Sequence, residues 1–277
     1  MAIKLIVFDV DGTVVAGDHY TVPEKNITAL RLARAHGVKL AIASGRTWSI
    51  LTEVAGQVGG VDYAIIANGA AVMDAVTGER IYEKGIPPEQ AGALMDVLDR
   101  EDLSYEVYCH GQNYVAEGMR NRMDAGMLSP RFEEMYLKRV AFVPDLREAL
   151  HGRDMEKINL FYAPAETRKR LREDALKICP LEISNALEGN MEFTCGGVCK
   201  GTALAVLAGK LGLTADEVMA FGDAGNDVEM LRWAGWSFAM ANGAPAAKAA
   251  ARYLAPSNEA GGVDQVVERY VLGLEGR

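Results

Sequence analysis

IKLIVFDVDGT, residues 3–13, is the stretch on which the fold of this chain turns. Positions 3–10 form an apolar run rich in β-branched residues, with only Lys4 interrupting before the first acid. A run this apolar marks a strand covered on both faces, as in a parallel sheet. Two acids, Asp9 and Asp11, stand at its carboxyl end, followed by Gly12 and Thr13. Carboxylates beside a core strand cost free energy unless a partner neutralises them. Their partners must come from elsewhere in the chain.

Outward from this strand the pattern alternates. Pro23 and Glu24 open a helix whose Ile27, Leu30 and Ala33 follow helical spacing, and Gly37 is placed to end it. A strand follows over 38–44, a helix over 47–57, a strand over 62–68, and a hairpin turning at Thr77–Gly78. Strands alternating with helices predict a Rossmann-like, doubly wound parallel sheet of the α/β class. After Glu83 the rhythm changes. Pro87–Pro88 starts a helix, and short strand-like pieces follow at 104–109, 139–143 and 156–162. A charged helix from Ala165 to Ile178 and a strand near Leu181–Ser184 complete this stretch. From Met191 the first style returns, with buried strands at 218–223 and 236–240 and capping-box spacing at Thr214 and Glu217. The predicted organisation is an α/β core, residues 1–83 and 191–277, interrupted by an inserted α+β domain at 84–190.

Composition narrows the function classes. With 49% hydrophobic and 24% charged residues the chain has the balance of an ordinary globular protein. A net charge of -9 argues against a nucleic-acid partner, since phosphate backbones attract positive surfaces. Any anionic substrate must therefore be met by local charge, a metal or helix N-termini. Cys109, Cys179, Cys195 and Cys199 have no paired framework spacing, which predicts reduced thiols. The first apolar run is too short for a signal peptide, and no run approaches the ~18 residues of a membrane span. The expectation is a cytoplasmic protein without a membrane partner, monomeric or homodimeric.

Open α/β sheets bind ligands outside the carboxyl ends of their strands. Four such ends carry chemistry: Asp9 and Asp11; Ser44 with Gly45 and Arg46; Asn68 with Gly69; and GDAGND, 222–227, with Asp223, Asn226 and Asp227. Lys200 opens the helix after the insertion. If these ends meet, four carboxylates share a crevice with a hydroxyl, a lysine and an arginine. Such a crowd repels unless a hard divalent cation sits within it, and oxygen ligands with room for a substrate phosphate describe Mg²⁺. Ser44 and Lys200, each near a helix N-terminus, suit an incoming phosphate.

Taken singly, each motif has a plainer reading. Asp9 and Asp11 are turn acids, Ser44 is a helix N-cap, and Asp223 and Asp227 are first-turn acids. Lys200 is a solvated charge, and Asn68–Gly69 is a turn. Their joint presence outweighs those readings. The histidines at 19, 36, 110 and 151 show no ligand or triad spacing, and Cys195 and Cys199 lack a second pair for zinc. Tyr105, Tyr108 and Tyr114 read as packing, and His110, Arg120 and Arg122 as solvated surface.

DVDGT (9–13), SGR (44–46), KG (200–201) and GDAGND (222–227), in this order and with the large insertion between the second and third, resemble the haloacid dehalogenase superfamily, specifically Cof-type phosphatases with a type IIB cap. ANGA (67–70) resembles the segment leading into the cap. The resemblance implies roles. Asp9 would be the nucleophile that forms an aspartyl-phosphate, and Asp11 the acid and base for the leaving oxygen and the attacking water. Asp9, the backbone carbonyl of Asp11 and Asp223 would hold Mg²⁺, with Asp227 orienting the metal's water. Ser44, Gly45, Asn226 and Lys200 would bind the phosphoryl oxygens, while Arg46 and Asn68 would lie on the substrate side. An Asp at position 11 favours monoester hydrolysis, because the superfamily's ion pumps carry Thr there and its dehalogenases lack this second Asp. The implied substrate is a small phosphorylated metabolite such as a sugar phosphate, phosphoglycolate or a phosphorylated cofactor. The alternatives are a phosphotransferase of the phosphomannomutase kind and a non-catalytic metal or phosphate-binding module.

Overall fold

The computed structural model describes residues 2–122, 129–185 and 188–273. The chain forms two compact units, one comprising residues up to Arg46, Leu51–Tyr82 and Cys199 onward, the other Thr47–Ile50 and Glu83–Val198.

The first unit, apart from the first turn of α2 and the last residue of β5, begins with β1 (Leu5–Phe8), α1 (Glu24–Ala35), β2 (Lys39–Ala43), α2 (Trp48–Gln57), β3 (Tyr63–Ile66), β4 (Ala71–Asp74) and β5 (Arg80–Glu83). The second unit supplies α3 (Pro88–Arg100), β6 (Tyr105–Cys109), β7 (Gln112–Ala116), α4 (Pro130–Arg139), β8 (Ala141–Val143) and α5 (Leu146–Ala149), then β9 (Lys157–Leu160), α6 (Ala165–Ile178), β10 (Leu181–Ser184) and β11 (Met191–Cys195). The first unit resumes with α7 (Lys200–Leu211), β12 (Val218–Gly222), α8 (Val228–Trp233), β13 (Trp236–Met240), α9 (Pro245–Ala250), β14 (Tyr253–Ala255) and α10 (Gly262–Tyr270).

In the first unit eight strands lie in the order β14-β13-β12-β1-β2-β3-β4-β5. Pairing is parallel from β14 to β3 and antiparallel at β3–β4. Leu5, Ile6, Val7 and Phe8 are all fully buried, as the unbroken apolar run requires of a central strand. On one face Leu5 and Val7 pack with Ala203, Leu204 and Leu207 of α7. Burying a leucine of this kind stabilises by roughly 1.5–3 kcal/mol. The chain winds from β1 to β2 and β3 on one side, and β12 to β14 lie on the other. The carboxyl ends of β1 and β12 therefore flank the switch point where open sheets bind ligands.

In the second unit six strands run β10-β11-β9-β6-β7-β8. Side chains alternate across a strand. Tyr105, Val107, Ile158, Leu160, Met191 and Phe193 accordingly share a core with Leu94 and Leu98 of α3 and Leu171 of α6. The intervening residues make a second face that is polar yet buried. Glu106 Oε1 accepts from Tyr108 Oη and Asn159 Nδ2, and its Oε2 from Asn113 Nδ2 and Tyr136 Oη, at 2.6–2.8 Å. Lys157 Nζ lies 2.6 Å from Glu192 Oε1. A buried carboxylate is tolerated here because both oxygens are satisfied. Tyr105 and Tyr114 pack against the apolar core, while Tyr108, expected to do the same, serves the polar face.

Met191–Cys195, expected to open the returning core, is a strand of the second sheet. It pairs with β10 from Leu181↔Cys195 and with β9 from Met191↔Leu160, and the second unit extends to Val198. Its residues match either sheet in character, so only the cross-strand pairing decides. Among the described residues, no helix is long and apolar enough to cross a membrane.

Candidate active site

The partners that the acids after β1 require come from α7 and the turn after β12. Lys200, fully buried at the first position of α7, places Nζ 2.6 Å from Asp9 Oδ1 and 2.6 Å from Asp227 Oδ1. The other oxygen of Asp227 accepts the backbone N–H groups of Asp223 and Ala224, both at 2.9 Å, which shapes the turn. Asp223 Oδ1 accepts from Thr13 Oγ1 at 3.1 Å.

The backbone between Asp9 and Val15 approaches Asp223 so closely that only glycine fits at position 12. Gly12 has φ +74, and a Cβ there would lie 2.4 Å from Asp223 Oδ2. Side-chain amides brace this segment. Asn242 Nδ2 donates to the Gly12 carbonyl at 2.8 Å, Asn26 Nδ2 to that of Val14 at 3.0 Å and Asn258 Nδ2 to that of Val15 at 3.0 Å. Asn258 N–H in turn donates to Asn242 Oδ1 at 3.1 Å. Nearby, Asn68 sits in the left-handed region at φ +60 and accepts from Asn226 Nδ2 at 3.0 Å. Its neighbour Gly69, φ +103, brings the chain against the Cys199 carbonyl, 2.4 Å from where a Cβ would stand. Ser44, buried at the end of β2, accepts the Arg46 N–H at Oγ, 3.2 Å.

Asp11 faces a different set of partners. Arg46 grips its carboxylate, with Nε 2.9 Å from Oδ2 and Nη2 on Oδ1. His19 Nδ1 lies 2.8 Å from Oδ1, and Arg46 Nη2 also donates to the His19 carbonyl at 2.8 Å. Although burial pushes the Asp11 carboxyl up, Arg46 and the His19 hydrogen bond outweigh it and hold the group well below the usual carboxylate range. The Asp11 bond in turn raises His19, against the lowering effect of burial.

Around Lys200 the balance is opposite. Burial pushes the Asp9 carboxyl well above its ordinary value; Lys200 pulls it down, while Asp227, Asp223 and Asp11 add to the rise. Burial and Asp227 push Asp223 up to about 6. Burial lowers Lys200, but Asp227 and Asp9 more than reverse this, so it stays charged. Three carboxylates thus share one ammonium.

This donor set fits a hard divalent cation. Asp9, Asp223 and Asp227 each offer a carboxylate oxygen within 4.8 Å of the others'. Both oxygens of Asp227 are already engaged, whereas Oδ2 of Asp9 and of Asp223 stands outside the hydrogen bonds just described. Asp9 and Asp223 are therefore the direct ligand candidates, with Asp227 behind them. Oxygen-only donors of this charge suit Mg²⁺.

A pH prediction follows. A carboxyl raised on folding contributes stability that is full below the ordinary value of 3.8 and lost as pH rises through its folded value, about 6 for Asp223. Metal-free protein should therefore melt higher at about pH 5 than at about pH 7.5. Mg²⁺ should raise the midpoint more at the higher pH. Thermal unfolding in EDTA and in Mg²⁺ reads both; a higher midpoint at pH 7.5 in EDTA would contradict the repulsion.

Of the residues singled out from the sequence, Asp9, Asp223, Asp227 and Lys200 form one hydrogen-bonded cluster, and Asn68 and Asn226 meet side chain to side chain. Gly45 lies in the turn between Ser44 and Arg46. Arg46, read as a substrate-side residue, holds Asp11 and the His19 carbonyl. His19 lacks ligand spacing and Asn242 and Asn258 carry no motif, while Thr13 lies within DVDGT without a role assigned to it from sequence. The two asparagines bond residues more than 200 positions away, beyond any local signal.

Residues 6–267 match the model of the haloacid dehalogenase-like hydrolases. The chain is 29% identical over 270 residues to a 5-amino-6-(5-phospho-D-ribitylamino)uracil phosphatase of Bacillus subtilis (strain 168), covering 98% of this chain and 96% of that one. It is 30% identical over 257 residues to the HMP-PP phosphatase of Klebsiella pneumoniae (strain 342), covering 89% and 87%. Its fold matches that of a haloacid dehalogenase subclass IIB sugar phosphatase with a TM-score of 0.79, at 24% identity over 98% and 99% of the two chains. The motifs at the strand ends and these matches agree, the fold being like that of the subclass IIB sugar phosphatase: the chain belongs to the haloacid dehalogenase-like hydrolase family.

Proposed function

We propose that the protein hydrolyses the phosphate monoester of a small metabolite, with Mg²⁺, through a phosphorylated Asp9. The observation that carries this reading is Lys200, buried and bonded to both Asp9 and Asp227 at the switch point of the sheet. A lysine so placed keeps Asp9 anionic when a phosphate approaches and offsets the charge that builds on the phosphoryl oxygens. Asp9 attacks phosphorus; the new O–P bond forms as the bond to the leaving oxygen breaks, and Asp11 gives that oxygen a proton. Water then attacks the phosphoryl group, Asp11 takes its proton, and Asp9 is released with inorganic phosphate. Ser44 and Asn226 hold the phosphoryl oxygens. Bound Mg²⁺ would add charge neutralisation between Asp9, Asp223 and the phosphate.

Asp11 carries a tension. Arg46 and His19 stabilise its carboxylate, which suits the base of the second step. For the first step the Arg46 contact must loosen as the leaving group arrives, so that Asp11 carries a proton. Relatives act on a phosphorylated ribitylaminouracil and on HMP-PP, by their names, which supports a small phosphorylated metabolite as substrate class. The core motifs address only the phosphate. Selection among metabolites therefore falls to the inserted unit.

Phosphate release, screened over several dozen metabolites, should require a divalent cation. It should stop in excess EDTA and return with Mg²⁺. Undiminished turnover in EDTA after extensive dialysis would overturn the metal assignment, and no release from any ester would overturn the activity.

A further inference from the structure

The loop 16–21 is pinned more firmly than a surface connection requires. Ala16 N–H donates to the Thr21 carbonyl at 2.8 Å, and His19 N–H to the Ala16 carbonyl at 3.1 Å. Asp18 accepts from the N–H groups of Tyr20 and Thr21 and from Thr21 Oγ1, at 2.6–3.0 Å. Beyond it, Tyr20 Oη donates to Glu53 at 2.8 Å, and Gln57 reaches the Tyr20 carbonyl and the Val22 N–H, both at 2.9 Å. In the middle of this lattice His19 is held at φ +58. Left-handed backbone costs an ordinary side chain free energy and persists where surroundings over-determine it, often at functional sites.

What the loop presents is His19 Nδ1, 2.8 Å from Asp11 Oδ1. An ionised carboxylate only accepts, so Nδ1 carries the proton of this bond. Arg46 touches both oxygens of Asp11, but an arginine fork sits on a long side chain and can swing with it. A donor on a short side chain, fixed by its own loop, removes that freedom. The bond from Arg46 to the His19 carbonyl ties that side chain to the same loop.

We infer that His19 is a positioning residue: its Nδ1–H, on Oδ1, keeps the Asp11 carboxyl group aimed at the leaving-group oxygen when the Arg46 contact loosens. This rests on the acid role proposed above for Asp11. Losing a fixed orientation at the proton donor should matter most where the leaving group needs the proton. An alkoxide does; p-nitrophenolate leaves without it.

The test compares the first chemical step, by rapid quench with Mg²⁺, for ribose 5-phosphate and p-nitrophenyl phosphate. His19→Gly removes the ring while accepting the positive φ. It should slow the alkyl ester by roughly 10- to 100-fold and leave the aryl ester nearly unchanged. His19→Asn tolerates the same backbone and carries an uncharged N–H donor at similar reach. It should restore most of the alkyl rate. Equal losses for both esters in His19→Gly, or no rescue by asparagine, would overturn the inference. Asp11→Asn is the reference. If it fails to favour the aryl ester, the acid role itself falls; if it does favour the aryl ester and His19→Gly does not, only the positioning role falls.

Discussion

Replacing Asp9 with asparagine should give a folded protein that forms no phosphoenzyme and releases no phosphate from any ester. Asparagine keeps the shape and an oxygen that accepts from Lys200, so the geometry at 2.6 Å has a near replacement. It lacks the anionic oxygen that attacks phosphorus in the proposed mechanism. Removing a nucleophile on which the other groups depend costs roughly four to six orders of magnitude in turnover. The second half of the expectation is that stability does not fall. The Asp9 carboxyl is raised by burial and by three other acids, so its charge is a liability in the metal-free protein. Asp9→Asn should melt at or above the wild-type midpoint in EDTA at neutral pH, and it should gain less from Mg²⁺. Intact-mass measurement after incubation with substrate checks the missing phosphoenzyme; phosphate found on the variant would move the nucleophile elsewhere.

Lys200→Met should act on stability and activity together. The lysine is fully buried, and methionine fills much the same volume without the charge. Removing one partner of a buried ion pair leaves the others uncompensated, at a cost of about 3–5 kcal/mol. Urea unfolding in EDTA at neutral pH should show that loss. The deficit should narrow as pH falls and the Asp9 and Asp223 carboxyls, already raised, take up protons. It should narrow again when Mg²⁺ supplies the missing charge. Turnover should drop at least the 10²–10³-fold typical of losing one preorganised electrostatic contact. A variant as stable as wild type in EDTA would mean that the buried carboxylates are already neutral, and the role given to Lys200 would fail.

Legibility in the sequence follows the range of the interactions. The β1 strand could be read because burial on both faces writes itself into consecutive residues. The helix Ala165–Ile178 and the strand Leu181–Ser184 were placed to the residue, since a proline stands before each and both patterns are local. The helix Pro130–Arg139 is hard to see in the sequence, although Phe132, Met135 and Tyr136 carry helical spacing on its buried side. Charged neighbours at Arg131, Glu133 and Glu134 obscured the stripe. At the site, the acids and Lys200 stood out through motif and order. His19 did not, because its value lies in a backbone conformation set by Asp18, Tyr20 and α2. Arg46 belongs to a legible motif, but its hold on Asp11 appears only once β1 and β2 lie side by side.

The position of β1 between β2 and β12 has a consequence for synthesis. Leu5 pairs with Lys39 soon after both leave the ribosome, but its other neighbour is Val218. At usual elongation rates that partner arrives roughly 10–40 s later. Until then one edge of a wholly apolar strand lacks its hydrogen-bonding partner, a template for pairing with other chains. The inserted unit, whose strands all lie between Tyr105 and Cys195, can finish its own sheet during that wait. Nascent chains stalled before Val218 should therefore carry a folded insert on an open, aggregation-prone sheet, with Asp9 still lacking the acids of the later turn.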